Sequence, residues 1–148
     1  MRDTIHETEK KLTYTGACLC GGIQFEIQAE LNPVQVCHCL QCRKAQGGPF
    51  ATNIPVAKAT FVLNSGSELL HQYESSTGKF RHFCKNCGSP VYSSRETLPD
   101  LVRVRAGLIN ESITAGVAFH AHVSSKCEWF PIDDDLPQFQ EASVPAPD

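Results

Sequence analysis

Seven of the chain's eight cysteines lie in three tight groups, Cys18-x-Cys20, Cys37-His38-Cys39-x-x-Cys42 and Cys84-x-x-Cys87. Thiolate is the metal-binding form of cysteine, and thiolates at these spacings suit zinc, which lowers the thiol pKa in turn and couples its own binding to folding. A structural zinc closes its shell with four protein ligands, whereas a catalytic zinc keeps three and leaves a position for water or substrate. Seven thiolates divide naturally into four and three. The run Phe83-Cys84-Lys85-Asn86-Cys87-Gly88-Ser89 reads as a zinc knuckle, with two residues turning the backbone around the metal and Gly88 relieving crowding after the second ligand. Its missing ligands have two candidate sources. Cys39-x-x-Cys42 would complete an ordinary ribbon of paired C-x-x-C motifs, whereas Cys18-x-Cys20 would leave Cys37, Cys39 and Cys42 as a compact trio.

Other residues carry weaker chemical signals. His38 sits between two cysteines that share a face if the segment is extended, so its ring points the other way and serves as hydrogen-bonded support rather than as a ligand. His120 and His122 share one face of a candidate strand, but with seven thiolates available they are not needed as ligands. Cys127 reads as a buried, inert thiol. Arg43 and Lys44, immediately after the trio, and Arg81, on another strand, are candidates for meeting an anionic substrate; solvated surface charge is the commoner reading of such residues. Asp133-Asp134-Asp135 reads as a solvated acidic turn, because a calcium loop needs a longer spaced series of ligands.

The elements that must position these residues are short and mostly extended. Residues 22–29 alternate apolar and polar, which puts Ile23, Phe25 and Ile27 on one face of a strand. Similar runs occupy 34–36, 50–56, 60–63, 79–84, 90–93, 101–105 and 117–123, most of them separated by Gly, Pro, Asn or Ser. One short helix is expected over 40–46, ended by Gly47-Gly48. No helical period lasts beyond about two turns, so the fold is expected to be mainly β. Each C-x-C pair, at i and i+2, would then present two thiols on one strand face. Residues 1–11 read as an N-terminal arm and 12–139 as the domain. The end, from Pro137 through a 140–148 tail, is rich in Pro and small residues and is expected to be poorly ordered.

The 148-residue chain is one domain's worth of protein, and 13 basic against 16 acidic side chains leave no electrostatic footprint for nucleic acid or anionic membrane. Its charged first residues lack the apolar stretch of a secretory signal, and no later run reaches the length of a membrane span, so a cytoplasmic location is expected. In a reducing compartment, these cysteine spacings point to metal rather than to a disulfide framework.

The stretches Gly16-Ala17-Cys18-Leu19-Cys20-Gly21-Gly22-Ile23-Gln24-Phe25, Cys37-His38-Cys39-Leu40-Gln41-Cys42-Arg43-Lys44 and Arg81-His82-Phe83-Cys84-Lys85-Asn86-Cys87-Gly88-Ser89 resemble the glutathione-dependent formaldehyde-activating enzyme and centromere protein V (GFA/CENP-V) family in order, spacing and flanks. The resemblance continues through Gly107-Leu108-Ile109-Asn110, His120-Ala121-His122-Val123, Lys126 and Trp129 to Asp135-Leu136-Pro137-Gln138-Phe139. It implies a small zinc-stabilised β-tent, a structural zinc on Cys18, Cys20, Cys84 and Cys87, and a second zinc with an open position on Cys37, Cys39 and Cys42.

The activity it implies is that of a carbon–sulfur lyase resembling S-(hydroxymethyl)glutathione synthase. Such an enzyme joins a thiol such as glutathione to formaldehyde or another small carbonyl, with two zinc ions per chain. Three thiolates around one zinc weaken its Lewis acidity relative to a histidine site, which favours capture and orientation of the incoming thiolate over strong carbonyl activation. The contrasting class is a non-catalytic zinc-binding interaction domain, a role that favours a basic tail, which this sequence lacks.

Overall fold

The alternation around Phe25 is realised as a half-buried strand: Ile23, Phe25 and Ile27 are almost wholly buried and lie in one apolar cluster with Ile54, Val91 and Val104. The computed structural model describes residues 13–142, and that cluster lies between two sheets within them. The smaller sheet is antiparallel, built from β1 (Tyr14–Ala17), β2 (Gln24–Ile27) and β5 (Phe61–Ser65) in the order β1-β2-β5. The larger sheet contains β3 (Val34–Cys37), β4 (Ala51–Ala57), β6 (Leu70–Ser76), β7 (Lys79–Cys84), β8 (Pro90–Arg95), β9 (Leu98–Arg105) and β10 (Val117–Ala121). Its order is β10-β3-β4-β9-β8-β7-β6, all antiparallel except the β10-β3 pair. The one α-helix among the described residues, α1 (Leu40–Gln46), follows β3 directly. The fold is mainly β, as the punctuation of the sequence predicts.

Register divides the large sheet into two chemically different faces. The pairs Tyr92↔Val104 and Ile54↔Val104 put aromatic and aliphatic side chains on the core face. One residue along, Arg81↔Ser93, Ser93↔Arg103, Lys79↔Arg95 and Asn53↔Arg105 put a row of cations and small polar groups on the other face. Packing of β1 on β2 needs a glycine. A Cβ built on Gly16 falls 2.2 Å from Phe25 Cζ and 2.9 Å from the Leu108 carbonyl oxygen, so only Gly admits the Phe25 ring here.

Several boundaries differ from expectation. Strands β1 and β6 carry no apolar alternation and are not predicted; β6 is a polar edge strand. Strand β9 begins at Leu98 rather than 101, because it forms a tight hairpin with β8. Strand β10 ends at Ala121, since His122 takes a left-handed backbone with φ 57°. His120 and His122 therefore do not share a strand face. The C-terminal segment from Pro137 is more ordered than its composition suggests: His120 N–H donates to the Pro137 carbonyl, Phe139 N–H to His120, Val123 N–H to Phe139 and His122 N–H to Glu141. The expected arm at 1–11 and most of the expected tail lie outside the described residues.

Candidate metal centres

The two cysteine groups that the sequence leaves in competition are separated by the fold. Strand β1 ends at Ala17, and a turn closed by Gly21 N–H to the Cys18 carbonyl carries Cys18 and Cys20. Strand β7 ends at Cys84, where Gly88 N–H returns to the Cys84 carbonyl at 2.7 Å to form the knuckle that holds Cys87. All four Sγ atoms lie within 4.8 Å of one another. In a tetrahedral shell with sulfurs about 2.3 Å from zinc, neighbouring sulfurs are about 3.8 Å apart. The Cys18–Cys20 and Cys20–Cys84 separations are 3.6 and 3.8 Å, so this donor set fits such an ion without rearrangement. Ile23 N–H donates to Cys18 Sγ, and Leu19 N–H is fixed on Ser89 Oγ, tying the two halves together. Hydrogen bonding to Ser89 holds the Cys87 thiol down to about 5, while burial pushes Cys84 up to about 11.

Cys37, Cys39 and Cys42 form the second cluster, again with sulfurs within 4.8 Å of one another. Cys37 closes β3, Cys39 is the N-cap of α1 and accepts from Cys42 N–H, and Cys42 is one turn into the helix and buried. The thiols thus converge through a strand-to-helix corner rather than along a strand face, and the Cys18-x-Cys20 pair likewise lies beyond its strand. Helix α1 stops where predicted, with Gly47 in the left-handed conformation donating to the Arg43 carbonyl. Before any ion binds, hydrogen bonds from Cys37 and Cys39 hold Cys42 far below the usual thiol range, with the Arg81 cation adding to the effect. Hydrogen bonding with Cys39 pushes Cys37 up.

The trio opens onto a cavity of about 540 Å³ lined also by Lys79, Arg95 and Arg103 from the cationic sheet face, with Phe119 at its side. None of the four clustered cysteines at the knuckle lines it. Burial, first of all, lowers Lys79 to about 8; Arg81 and Arg95 press in the same direction and Cys42 opposes them.

Arg81 is buried beside the trio, its Nη2 3.7 Å from Cys42 Sγ and 3.4 Å from Gln41 Oε1, so it is not a solvated surface charge. The fold does not bring Arg43 and Lys44 to this cavity. They line a smaller hollow of about 190 Å³ with Trp129, where Arg43 Nη1 donates to the Ser125 carbonyl. Sequence reasoning passes over Lys79, Arg95 and Arg103. The available signal is the alternation Leu101-Val102-Arg103-Val104-Arg105, whose second face has to meet something.

His38 turns away from the thiols, as expected, and is buried with Nε2 2.8 Å from His120 Nδ1. His120 Nε2 in turn lies 2.9 Å from Asp134 Oδ2. This hydrogen bond holds the Asp134 carboxyl below its usual range, so Asp134 accepts and His120 carries its proton on Nε2. His120 Nδ1 and His38 Nε2 then share one proton between them. Burial keeps His38 down to about 4 and therefore neutral at neutral pH. Asp134 is thus more than the solvated acidic turn the sequence suggests, whereas Cys127 is buried as expected.

Comparison with known proteins bears on both clusters. The family model for "Glutathione-dependent formaldehyde-activating enzyme" matches residues 13–126, which include all seven clustered cysteines. A protein of Halomonas elongata described as "Putative glutathione-dependent formaldehyde-activating enzyme" is 30% identical over 127 residues, 80% of each chain. An uncharacterized lyase of Schizosaccharomyces pombe is 35% identical over 79 residues, 53% of this chain and 56% of its own. A crystal structure of a Rhodobacter sphaeroides protein shares the fold, with a TM-score of 0.57 at 23% identity over 66% of this chain and 89% of that one. With most of its length matched and both cysteine clusters inside the match, the chain belongs to the glutathione-dependent formaldehyde-activating enzyme family.

Proposed function

We propose that the chain is a zinc-dependent enzyme of the carbon–sulfur lyase type, joining a glutathione-like thiol to formaldehyde or another small carbonyl, with one zinc for structure and one for catalysis. The observation that carries this reading is the unequal setting of two similar sulfur clusters: Cys18, Cys20, Cys84 and Cys87 close on each other, while Cys37, Cys39 and Cys42 line a cavity large enough for substrate. Cys37, Cys39 and Cys42 would hold the catalytic zinc, which would supply Lewis acidity toward a thiolate or a carbonyl oxygen.

The protein's own groups account for the rest of the chemistry. Arg95 and Arg103 hold the carboxylates of an anionic thiol, a role for which the sequence alone offers Arg43, Lys44 and Arg81 as candidates. Arg81, against Cys42, offsets the negative charge gathered by three thiolates. In the reaction the thiol sulfur loses its proton and bonds to the carbonyl carbon, the C=O π bond breaks, and the oxygen takes up a proton to become a hydroxyl. Lys79, brought near 8, is the lining group suited to hand over that proton.

Two measurements test the proposal. Zinc counting should find two ions per chain, with Cys84→Ala losing the fold and Cys39→Ala losing one zinc and the activity while staying folded. Adduct formation from formaldehyde and a panel of thiols should exceed the uncatalysed rate. One zinc per folded chain would remove the catalytic site, and no acceleration across the panel would leave a zinc-binding module without this activity.

A further inference from the structure

Among the described residues four buried side-chain nitrogen or oxygen atoms lack a hydrogen-bond partner, and three of them, Arg81 Nη1, Arg105 Nε and Gln46 Nε2, are donors on residues that line a single cavity. The cavity, about 180 Å³, lies under the C-terminal half of α1 on the cationic face of the sheet, with the exposed Tyr73 also on its lining. It is separate from the trio cavity in lining, yet Arg81 belongs to its wall and touches Cys42, which belongs to the other.

Both guanidinium groups are more than nine-tenths buried, Arg81 at 8% and Arg105 at 4% exposure. Their remaining hydrogen bonds go to neutral oxygens and one sulfur. Arg81 donates to Ser75, Gln41 and Cys42, and Arg105 to Asn53, Ser93 and the Arg103 carbonyl. No carboxylate among the described residues pairs with either. Arg81 has the Cys42 sulfur opposite it, whereas Arg105 has no anionic group among its hydrogen-bond partners, and a buried donor left unmade forfeits the desolvation it has already cost. Burial is the main force that brings Arg105 down to about 10, with Cys42 opposing it and Arg81 adding to it, so Arg105 remains a cation at neutral pH.

We propose that Arg81, Arg105 and Gln46 form a binding site for a small oxyanion, a carboxylate of formate or acetate size or a tetrahedral oxyanion. Arg81 Nη1, Arg105 Nε and the Gln46 amide nitrogen would each offer an N–H to such an anion, two of them from cations. The site does not depend on the trio being catalytic, because its cavity shares no lining residue with the trio's.

The test uses the zinc-loaded full chain. Thermal melting is followed against formate, acetate and sulfate, each compared with chloride at matched ionic strength, for the wild type, Gln46→Leu and Arg105→Lys. A saturable rise in melting temperature is expected with formate, sulfate or both. Gln46→Leu, which removes a half-buried donor and no charge, should weaken that anion roughly tenfold to a hundredfold, the loss expected for one hydrogen bond to a charged group. Crystals grown with selenate or formate should show the anion between the two guanidinium groups. A rise that is linear in anion concentration and identical in Gln46→Leu, or density for water alone among the three donors, overturns the assignment.

Discussion

Replacing His120 with alanine should cost far more stability than replacing the residue it leans on. The side chain is 6% exposed and is the middle link of the Asp134–His120–His38 chain. Its loss leaves His38 Nε2, which has no other partner among the described residues, unpaired in a site where His38 Nδ1 already lacks one. An unpaired buried polar group costs about 1–3 kcal/mol. The void left by the imidazole, bounded on one side by the His38 ring, adds about 2 kcal/mol by analogy with large-to-small core changes. The sum, about 3–5 kcal/mol, is a large part of the roughly 5–15 kcal/mol that holds an ordinary domain together. For a chain of this size it should lower the melting temperature by roughly 10–20 °C.

Asp134→Asn is the control, since an amide oxygen can still accept from His120 Nε2 at a half-exposed position, and its melting temperature should stay near wild type. Because His38 lies between Cys37 and Cys39, the His120 variant should also release trio zinc faster to a chelator while the knuckle keeps its ion. Thermal melting of the zinc-loaded proteins, paired with a colorimetric zinc-release assay, measures both effects. If His120→Ala melts no lower than Asp134→Asn, the buried chain of hydrogen bonds does not hold the trio's corner.

Three further outcomes follow from the geometry. Activity should fall as pH rises through about 8, where Lys79 loses its proton, and Lys79→Arg should move that descending limb upward while Lys79→Met flattens it at a lower rate; a pH profile of kcat/KM for the three proteins decides this. Arg103→Gln should raise KM for a carboxylate-bearing thiol far more than for an uncharged one of similar size, measured by comparing the two thiols side by side. Gly16→Ala should destabilise by about 1–3 kcal/mol in chemical denaturation, because its Cβ would overlap the buried Phe25 ring.

How much of this was legible in the chain varies with the physics of each element. Residues with strong local preferences announced themselves: the alternation of Ile23, Phe25 and Ile27, the Gly47 stop after Gln46, and the three cysteine groups, whose pairing the spacings leave open and which the fold gathers into a quartet and a trio. Strand β6 was illegible because an edge strand with a solvated face needs no apolar period. The cavity cations were illegible for a different reason. Lys79, Arg95 and Arg103 come together only through cross-strand register, which depends on hairpin geometry rather than on composition. The same holds for Asp134, which reaches His120 because the segment after it runs back alongside β10.

The contrast between the two sulfur clusters also fixes an order of assembly. Cys37, Cys39 and Cys42 are gathered by one corner and one helical turn, so bringing them together closes almost no loop. Cys20 and Cys84 are 64 residues apart, and their meeting waits until β7 has been made and the small sheet has found the knuckle. Loop-closure entropy places the first event early and the second late. On a chain emerging from the ribosome, the trio can therefore collect a metal ion while the quartet is still incomplete, and the ion that arrives first is chosen by three exposed thiols rather than by the finished cavity. If both clusters hold metal as proposed, selection at the trio would depend on which ions are free during synthesis, and selection at the knuckle on the folded protein.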